Sequence, residues 1–359
     1  MGDLFITLST FDCLQVVLLG FIGGTLSGFI GSGGAFFMTP GMMNLGVQGV
    51  IAVGTNIAHK FGKAMVGSKR HGELGHVDKK LGIFMLITAL LGIRTAVWIN
   101  SFLFGIGDQS GEKGAAANLY ISIVFVFFLS IVALSILRDL FRKNTGEEIG
   151  PSKKIANYLS NLRLFPMITF PVADVKISIW IILIVGFITG YLAGTIGVGG
   201  FIGVPAMIYI FGIPTAVAAG TELFLAMFMG AFGALNYAFE GFVDIRLVVL
   251  LYLGSLLGIF IGTYGTKTVK ESIIRLVTGL IIILCVVSRG IAIPIYLAQL
   301  RLIDSIDPSN FALLNTISKS FLYISGISGV SVIMFFVIKA YIRKNRVYAT
   351  IIKKNIEKC

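Results

Sequence analysis

The chain has 359 residues, 56% of them hydrophobic and only 13% charged, with a formal net charge of +12. Soluble domains carry about 25% charged residues, so this composition, with a mean hydropathy of +0.93, excludes an ordinary soluble fold. Nucleic-acid binding is also excluded, since no basic segment is interleaved with a base-stacking platform; Lys and Arg instead fit loops retained in the cytoplasm.

The N-terminal "MGDLFITLSTFD" has no basic region ahead of an apolar stretch, so no cleaved signal peptide is expected. Apolar runs such as Leu119–Leu137 approach the roughly 20 residues that span a bilayer. They are continuous, not alternating, which favours helices over a barrel. Membrane segments are predicted near 13–38, 46–66, 81–104, 118–138, 177–210, 213–234, 246–265, 273–293 and 313–338. Cys13, Cys285 and Cys359 are scattered and form neither a disulfide framework nor a metal-ligand pattern.

The chain repeats itself. At an offset of 166 residues, "GFIGGTLSGFIGSGG" (Gly20–Gly34) falls on "GFITGYLAGTIGVGG" (Gly186–Gly200), with ten of fifteen positions identical. The same offset aligns Gly54-Thr55 with Gly220-Thr221, Val77-Asp78 with Val243-Asp244, and Leu91-Gly92 with Leu257-Gly258. Segment 67–80 carries four Lys and Arg and its counterpart 233–246 carries one, whereas 138–176 and 339–359 carry seven each. The positive-inside rule then puts equivalent loops on opposite sides, with the C-terminus cytoplasmic. The expected fold is an all-α polytopic membrane protein with two inverted-topology repeats and broken or re-entrant helices at their interface. The expected division is an N-terminal repeat (1–141), a cytoplasmic linker (142–176), a C-terminal repeat (177–338) and a basic tail (339–359). Within the linker, "IANYLSNLRLF" reads equally as a membrane-surface helix or a loop.

Residues 13–66 leave no room for three full crossings, so one span plus a re-entrant piece is expected. Gly20, Gly24 and Gly28, like Gly186, Gly190 and Gly194, are spaced by four and read as helix-packing seams. The later clusters, Gly31-Ser32-Gly33-Gly34 and Gly197-Val198-Gly199-Gly200, read as breaks, reinforced by Pro40 and Pro205.

A duplicated glycine-ladder helix, a GxGG element, a following proline, a GT pair and a "G-x-V-D" connection together resemble the sulfite exporter TauE/SafE family, over roughly 15–95 and 180–290. The resemblance implies a multi-pass permease for small anions, typically sulfite, sulfonates and other organosulfur or carboxylate compounds. Segment 105–176, with an extra helix and a long linker, departs from the family's compact form.

An anion stripped of water in a membrane needs donors in its place, and backbone amides at half-helix starts supply them without a titratable charge. Ser32, Gly33 and Gly34, with Val198, Gly199 and Gly200, are the candidate nests; Thr55, Asn56 and Thr221 are candidate side-chain donors. Thr and Asn satisfying neighbouring helix carbonyls is the competing structural reading. Glu222 replaces Asn56 at the equivalent position. An acidic side chain there is costly in lipid, so it is expected to face the interior and couple transport to a proton or cation, or else to partner Lys60 statically. Lys60 is expected to attract the anion, and Lys63 to snorkel to headgroups. Arg94 and Arg289 are read as interfacial anchors, and a metal site at His71 and His76 is disfavoured.

No catalytic constellation or nucleotide motif is readable, so the expectation is no enzyme and no cofactor. The expected function is a secondary transporter of the cell membrane that moves a small sulfur-containing anion, such as sulfite or an organosulfonate, outward by ion-coupled alternating access. A passive channel or an uptake permease is the alternative. The expected partners are the anion, a co-transported ion and the lipid bilayer.

Overall fold

The computed structural model describes residues 7–30, 34–106, 113–142, 164–269, 271–304 and 306–356. Among them, eleven helices carry almost the whole fold. The first unit contributes α1 (Thr10–Ile30), α2 (Ala35–Asn44), α3 (Gly49–Glu73), α4 (Lys79–Gly105) and α5 (Ala115–Arg142). A hairpin of β1 (Met167–Phe170) and β2 (Val175–Ser178) precedes the second unit, α6 (Ile179–Ile196), α7 (Gly199–Phe211), α8 (Thr215–Phe239), α9 (Ile245–Thr268) and α10 (Glu271–Gln299). The last helix, α11 (Pro308–Ile356), runs through position 338 without a break. Eight of the helices are long and apolar enough to cross a membrane. Segments 31–33, 107–112 and 143–163 lie outside the described residues, and with them Ser32, Gly33 and most of "IANYLSNLRLF".

The glycine ladders fix how the units meet. Gly20, Gly24 and Gly28 of α1 lie against the backbone at Leu251, Ser255 and Ile259 of α9. Their equivalents Gly186, Gly190 and Gly194 of α6 lie against Met85, Ala89 and Ile93 of α4. Every one of these six contacts maps onto its partner at the same 166-residue offset. With no side chain between them the backbones touch, which is how helices gain dispersion energy in lipid, where burial of apolar surface drives nothing. Each unit therefore packs its first helix onto the fourth helix of the other.

The third helices complete the exchange. Gly54, Phe61 and Gly67 of α3 meet Tyr237, Gly230 and Leu223 of α8 in that order, so these equivalent helices run antiparallel. The two units are thus oppositely directed at their shared contact. The α4 and α9 starts are fixed by the same device. Asp78 caps α4 by accepting from the Leu81 amide at 3.0 Å, and Asp244 caps α9 by accepting from the Arg246 amide at 3.0 Å.

The breaks fall where the glycine clusters predict them. Gly34 lies against the Gly23 backbone and Gly41 against Leu19, so α2 folds back antiparallel along α1 as a half-length helix. In the second unit α6 stops at Gly197, whose φ of 76° is left-handed and favours glycine. Helix α7 restarts two residues later at Gly199. Pro40 and Pro205 sit inside α2 and α7, near the break rather than at it. Each ring then removes one amide from the helical ladder.

Candidate functional site

A cavity of about 510 Å³ opens along α3, with residues from Asn56 to Arg70 on its wall. Asn56, Lys60, Lys63 and Arg70 fall on one helical face by their spacing, and that face is turned to the cavity. Lys63 is therefore a cavity-lining cation and not the headgroup anchor expected from its place near the helix end. The opposite wall comes from α8 and α9, with Glu222, Tyr252 and Thr263 as its polar members. Gly34 and Ala35, the start of half-helix α2, also line the cavity. That start carries no side-chain cap, and neither does the start of α7 at Val198. First-turn amides left uncapped give each half-helix a partial positive charge at this end.

A second cavity, about 10 Å³ and so no larger than one water, lies on the far side of Lys60. Six of its lining residues are Ala193, Met229, Gly230, Ile57, Lys60 and Ile93. Their equivalents at the 166-residue offset, Ser27, Lys63, Ala64, Leu223, Ala226 and Ile259, all line the large cavity. The two spaces are the same place in the two units, one wide and one with room for no more than a single water. Beyond the small one, the fully buried Tyr237 hydroxyl donates to the Gly194 carbonyl at 2.7 Å and accepts from Asn100 Nδ2 at 2.6 Å.

Lys60 lines both spaces, and Glu222 faces it from the wall of the large one. The ammonium Nζ is 3.9 Å from Oε1, and the side chains are 17% and 3% exposed. Neither Glu222 oxygen accepts a hydrogen bond. This long contact is the carboxylate's ion pair among the described residues, so its charge is balanced by one cation and little else. His59, buried one residue earlier, has its Nε2 in hydrogen-bond contact with Ser255 Oγ at 2.8 Å and its Nδ1 unpartnered among the described residues.

The expected donors divide. Asn56 lies on the cavity wall, but its Nδ2 donates to the Ala35 carbonyl at 3.0 Å and to Thr39 Oγ1 at 2.8 Å. The carbonyl at Ala35 fixes that amide's orientation, because an acceptor cannot face an acceptor; the atom left over is Oδ1, itself an acceptor. Thr55 Oγ1 accepts from the Asp244 amide at 3.2 Å, and Thr221 Oγ1 accepts from the Asp78 amide at 3.0 Å. These reciprocal bonds tie each third helix to the other unit's capping loop, and neither threonine is among the cavity-lining residues. Gly199 lines the small cavity beside Lys60; Val198 and Gly200 flank it and are buried, and neither lines either cavity.

Arg289 departs furthest from its sequence reading. It is 2% exposed, and its Nη2 donates to Asn44 Oδ1 at the end of α2 at 2.7 Å, within a cluster that includes Ser288 and Ser318. An interfacial anchor would reach water; this guanidinium reaches a half-helix instead. Its place ten residues before the end of α10 was the available signal, since intramembrane arginine by default faces protein. Arg94 is exposed and donates to Asn236 Oδ1 at 3.0 Å. His71 and His76 lie with ring centroids 5.7 Å apart, and no cluster of three metal-ligating side chains occurs among the described residues.

The family model described as "Sulfite exporter TauE/SafE" matches residues 16–289. The chain is 28% identical over 253 residues to the probable membrane transporter protein YjnA of Bacillus subtilis, covering 70% of this chain and 89% of that one. It is 26% identical over 265 residues to YdhB of the same organism, covering 73% and 94%, and 28% identical over 271 residues to a probable membrane transporter protein of Xylella fastidiosa, covering 74% and 89%. No solved structure matches significantly. The chain belongs to the sulfite exporter TauE/SafE family of membrane transporters.

Proposed function

We propose, starting from that membership, that this chain is a secondary transporter of the cell membrane that moves a small sulfur-containing anion, of the sulfite or organosulfonate class, outward by ion-coupled alternating access. The observation that carries the reading is the pair of equivalent cavities, about 510 Å³ and about 10 Å³, on either side of Lys60. Two oppositely directed units in different conformations give one open mouth. Exchanging their conformations would shut it and open the other. A passive channel needs no such difference.

The open mouth is the basic one. Lys63 and Arg70 line it at the end of α3 that the charge distribution places in the cytoplasm. Such a funnel raises the local concentration of an anion arriving from that side, which supports export. Lys60 then meets the anion, with the uncapped start of α2 at Gly34 and Ala35 beside it and that of α7 at Gly199 on the other side. Ser32 and Gly33, expected in the first nest, lie outside the described residues, and Val198 and Gly200 flank Gly199 in the second. Glu222 is the coupling residue in this reading.

Proteoliposomes loaded with sulfite, thiosulfate, taurine or sulfoacetate provide the test. An imposed ion gradient is expected to drive at least one of these anions uphill. Flux that only ever follows the anion's own gradient would make the chain a channel.

A further inference from the structure

We propose that the anion and one proton load the Lys60–Glu222 pair together: the anion takes the Lys60 ammonium, and the carboxylate it displaces takes up a proton. The proposal rests on the anion-transporter reading above and names its coupling ion.

The surroundings of Glu222 leave it one source of charge balance. Its carboxylate lies against Gly203 of α7, which the Thr189 methyl of α6 also approaches, and among the described residues both oxygens lack a hydrogen-bond donor. Lys60 of α3 supplies the cation at 3.9 Å. The other titratable groups around this cavity are His59, Lys63 and Arg70 on α3 and Tyr252 on α9. Asp78, next to Thr221 in space, has its oxygens taken by the Leu81 and Ala173 amides at 3.0 and 3.1 Å. A buried carboxylate with no hydrogen bonds and one distant cation is stable only while that cation is its own.

An anion entering from the open cavity meets the same ammonium. With Lys60 positive and Glu222 negative, the empty pair sums to zero. Adding a monoanion makes it negative, and the excess falls on Glu222, which at 3% exposure has little water to screen it. One proton restores zero: the ammonium–carboxylate pair plus A⁻ plus H⁺ becomes an ammonium–A⁻ pair plus a neutral Glu222 carboxylic acid. One O–H bond forms on Glu222, and the anion itself is unchanged. The proton is favoured over an alkali cation because a metal ion needs several oxygen ligands in place of its water. Among the residues lining this cavity the buried side-chain oxygens without a partner are the two of Glu222 and Asn56 Oδ1, fewer than such an ion needs, and apolar residues such as Val204, Leu223 and Ala226 make up much of the rest.

Isothermal titration of the chain in lipid nanodiscs with methanesulfonate tests this, run in buffers of different ionisation enthalpy. Methanesulfonate stays ionised across the usable range, so any proton taken up belongs to the protein. The expected result is about one proton absorbed per sulfonate bound, falling to none in Glu222→Gln while sulfonate binding persists. Binding without proton uptake overturns the proposal, as does uptake that survives in Glu222→Gln or binding that requires sodium. The wild-type titration decides the matter even if the variant does not fold. Failure of wild type to bind any anion in the panel above is a different result, and removes the anion reading together with the proposal.

Discussion

Lys60 and Ala226 occupy equivalent positions in the two units, and both line both cavities, the large and the small. One side of the divide therefore carries an ammonium where the other carries a methyl. A ligand passing from the large space to the small one must cross the same lysine. Lys60→Gln is expected to lower anion flux at least tenfold, with proteoliposome uptake as the measurement. Unchanged apparent affinity would remove Lys60 from the anion path. Removing the cation also strands Glu222. Because Lys60 is partly exposed to the cavity, the stability loss is expected at about 1–2 kcal/mol, below the 3–5 of a dry pair. Lys60→Gln/Glu222→Gln should regain most of it in a thermal-shift assay.

Tyr237 ties α8 to α6 and α4 through its bonds to Gly194 and Asn100. Tyr237→Phe keeps the ring and removes both bonds, at a cost of about 1–3 kcal/mol to the closed arrangement. A cysteine placed at Ala193, on the wall of the small cavity, should then react roughly tenfold faster with a membrane-impermeant thiol reagent. An unaltered labelling rate would mean that Tyr237 does not hold this arrangement.

The glycine ladders permit no side chain. Gly24→Leu and Gly190→Leu are each expected to abolish folded protein, because the new side chain would meet the Ser255 or Ala89 backbone. Gly290→Ala, in α10 with open space around it, should be tolerated and gain up to about 1 kcal/mol in helix propensity. Monodispersity on size exclusion separates the outcomes.

The two capping aspartates should not be equally sensitive. Asp78 also accepts from the Ala173 amide of the β-hairpin turn, at 3.1 Å. Asp244 instead holds Arg246, whose Nε and Nη2 approach its oxygens at 3.0 and 2.7 Å. Asp78→Ala is expected to cost about 2–3 kcal/mol, adding an orphaned buried amide to a lost cap. Arg246 is half exposed, so Asp244→Ala should cost nearer 1 kcal/mol. Equal shifts in melting temperature would count against this difference.

The architecture was legible because glycine is a backbone signal. Gly20, Gly24, Gly28 and their equivalents mark close approach at fixed spacing, and Gly197 marks a left-handed break. Such needs survive in one sequence without knowledge of the partner. Glu222 and Lys60 were legible for a related reason, that charge at membrane depth demands a protein environment. Side-chain engagement was less so. Nothing local tells that the Asn56 amide is consumed by Ala35 and Thr39, or that Thr55 reaches a loop 189 residues away. Tyr252 gave no signal, since a tyrosine in an apolar helix is unexceptional until tertiary packing sets it against α3. Lys63 was misread because position along a helix was weighed above the direction of its face.

The crossed packing of first and fourth helices bears on how the protein is made. When α1 leaves the ribosome, the surface that its glycines are shaped for does not yet exist; it arrives only once Ile245 and the residues after it have been synthesised. Neither unit encloses an interior of its own, so a ribosome halted after α5 would release a set of helices lacking their closest companions. Assembly must wait for the second half, and the two halves supplied as separate polypeptides should find each other by the same glycine faces.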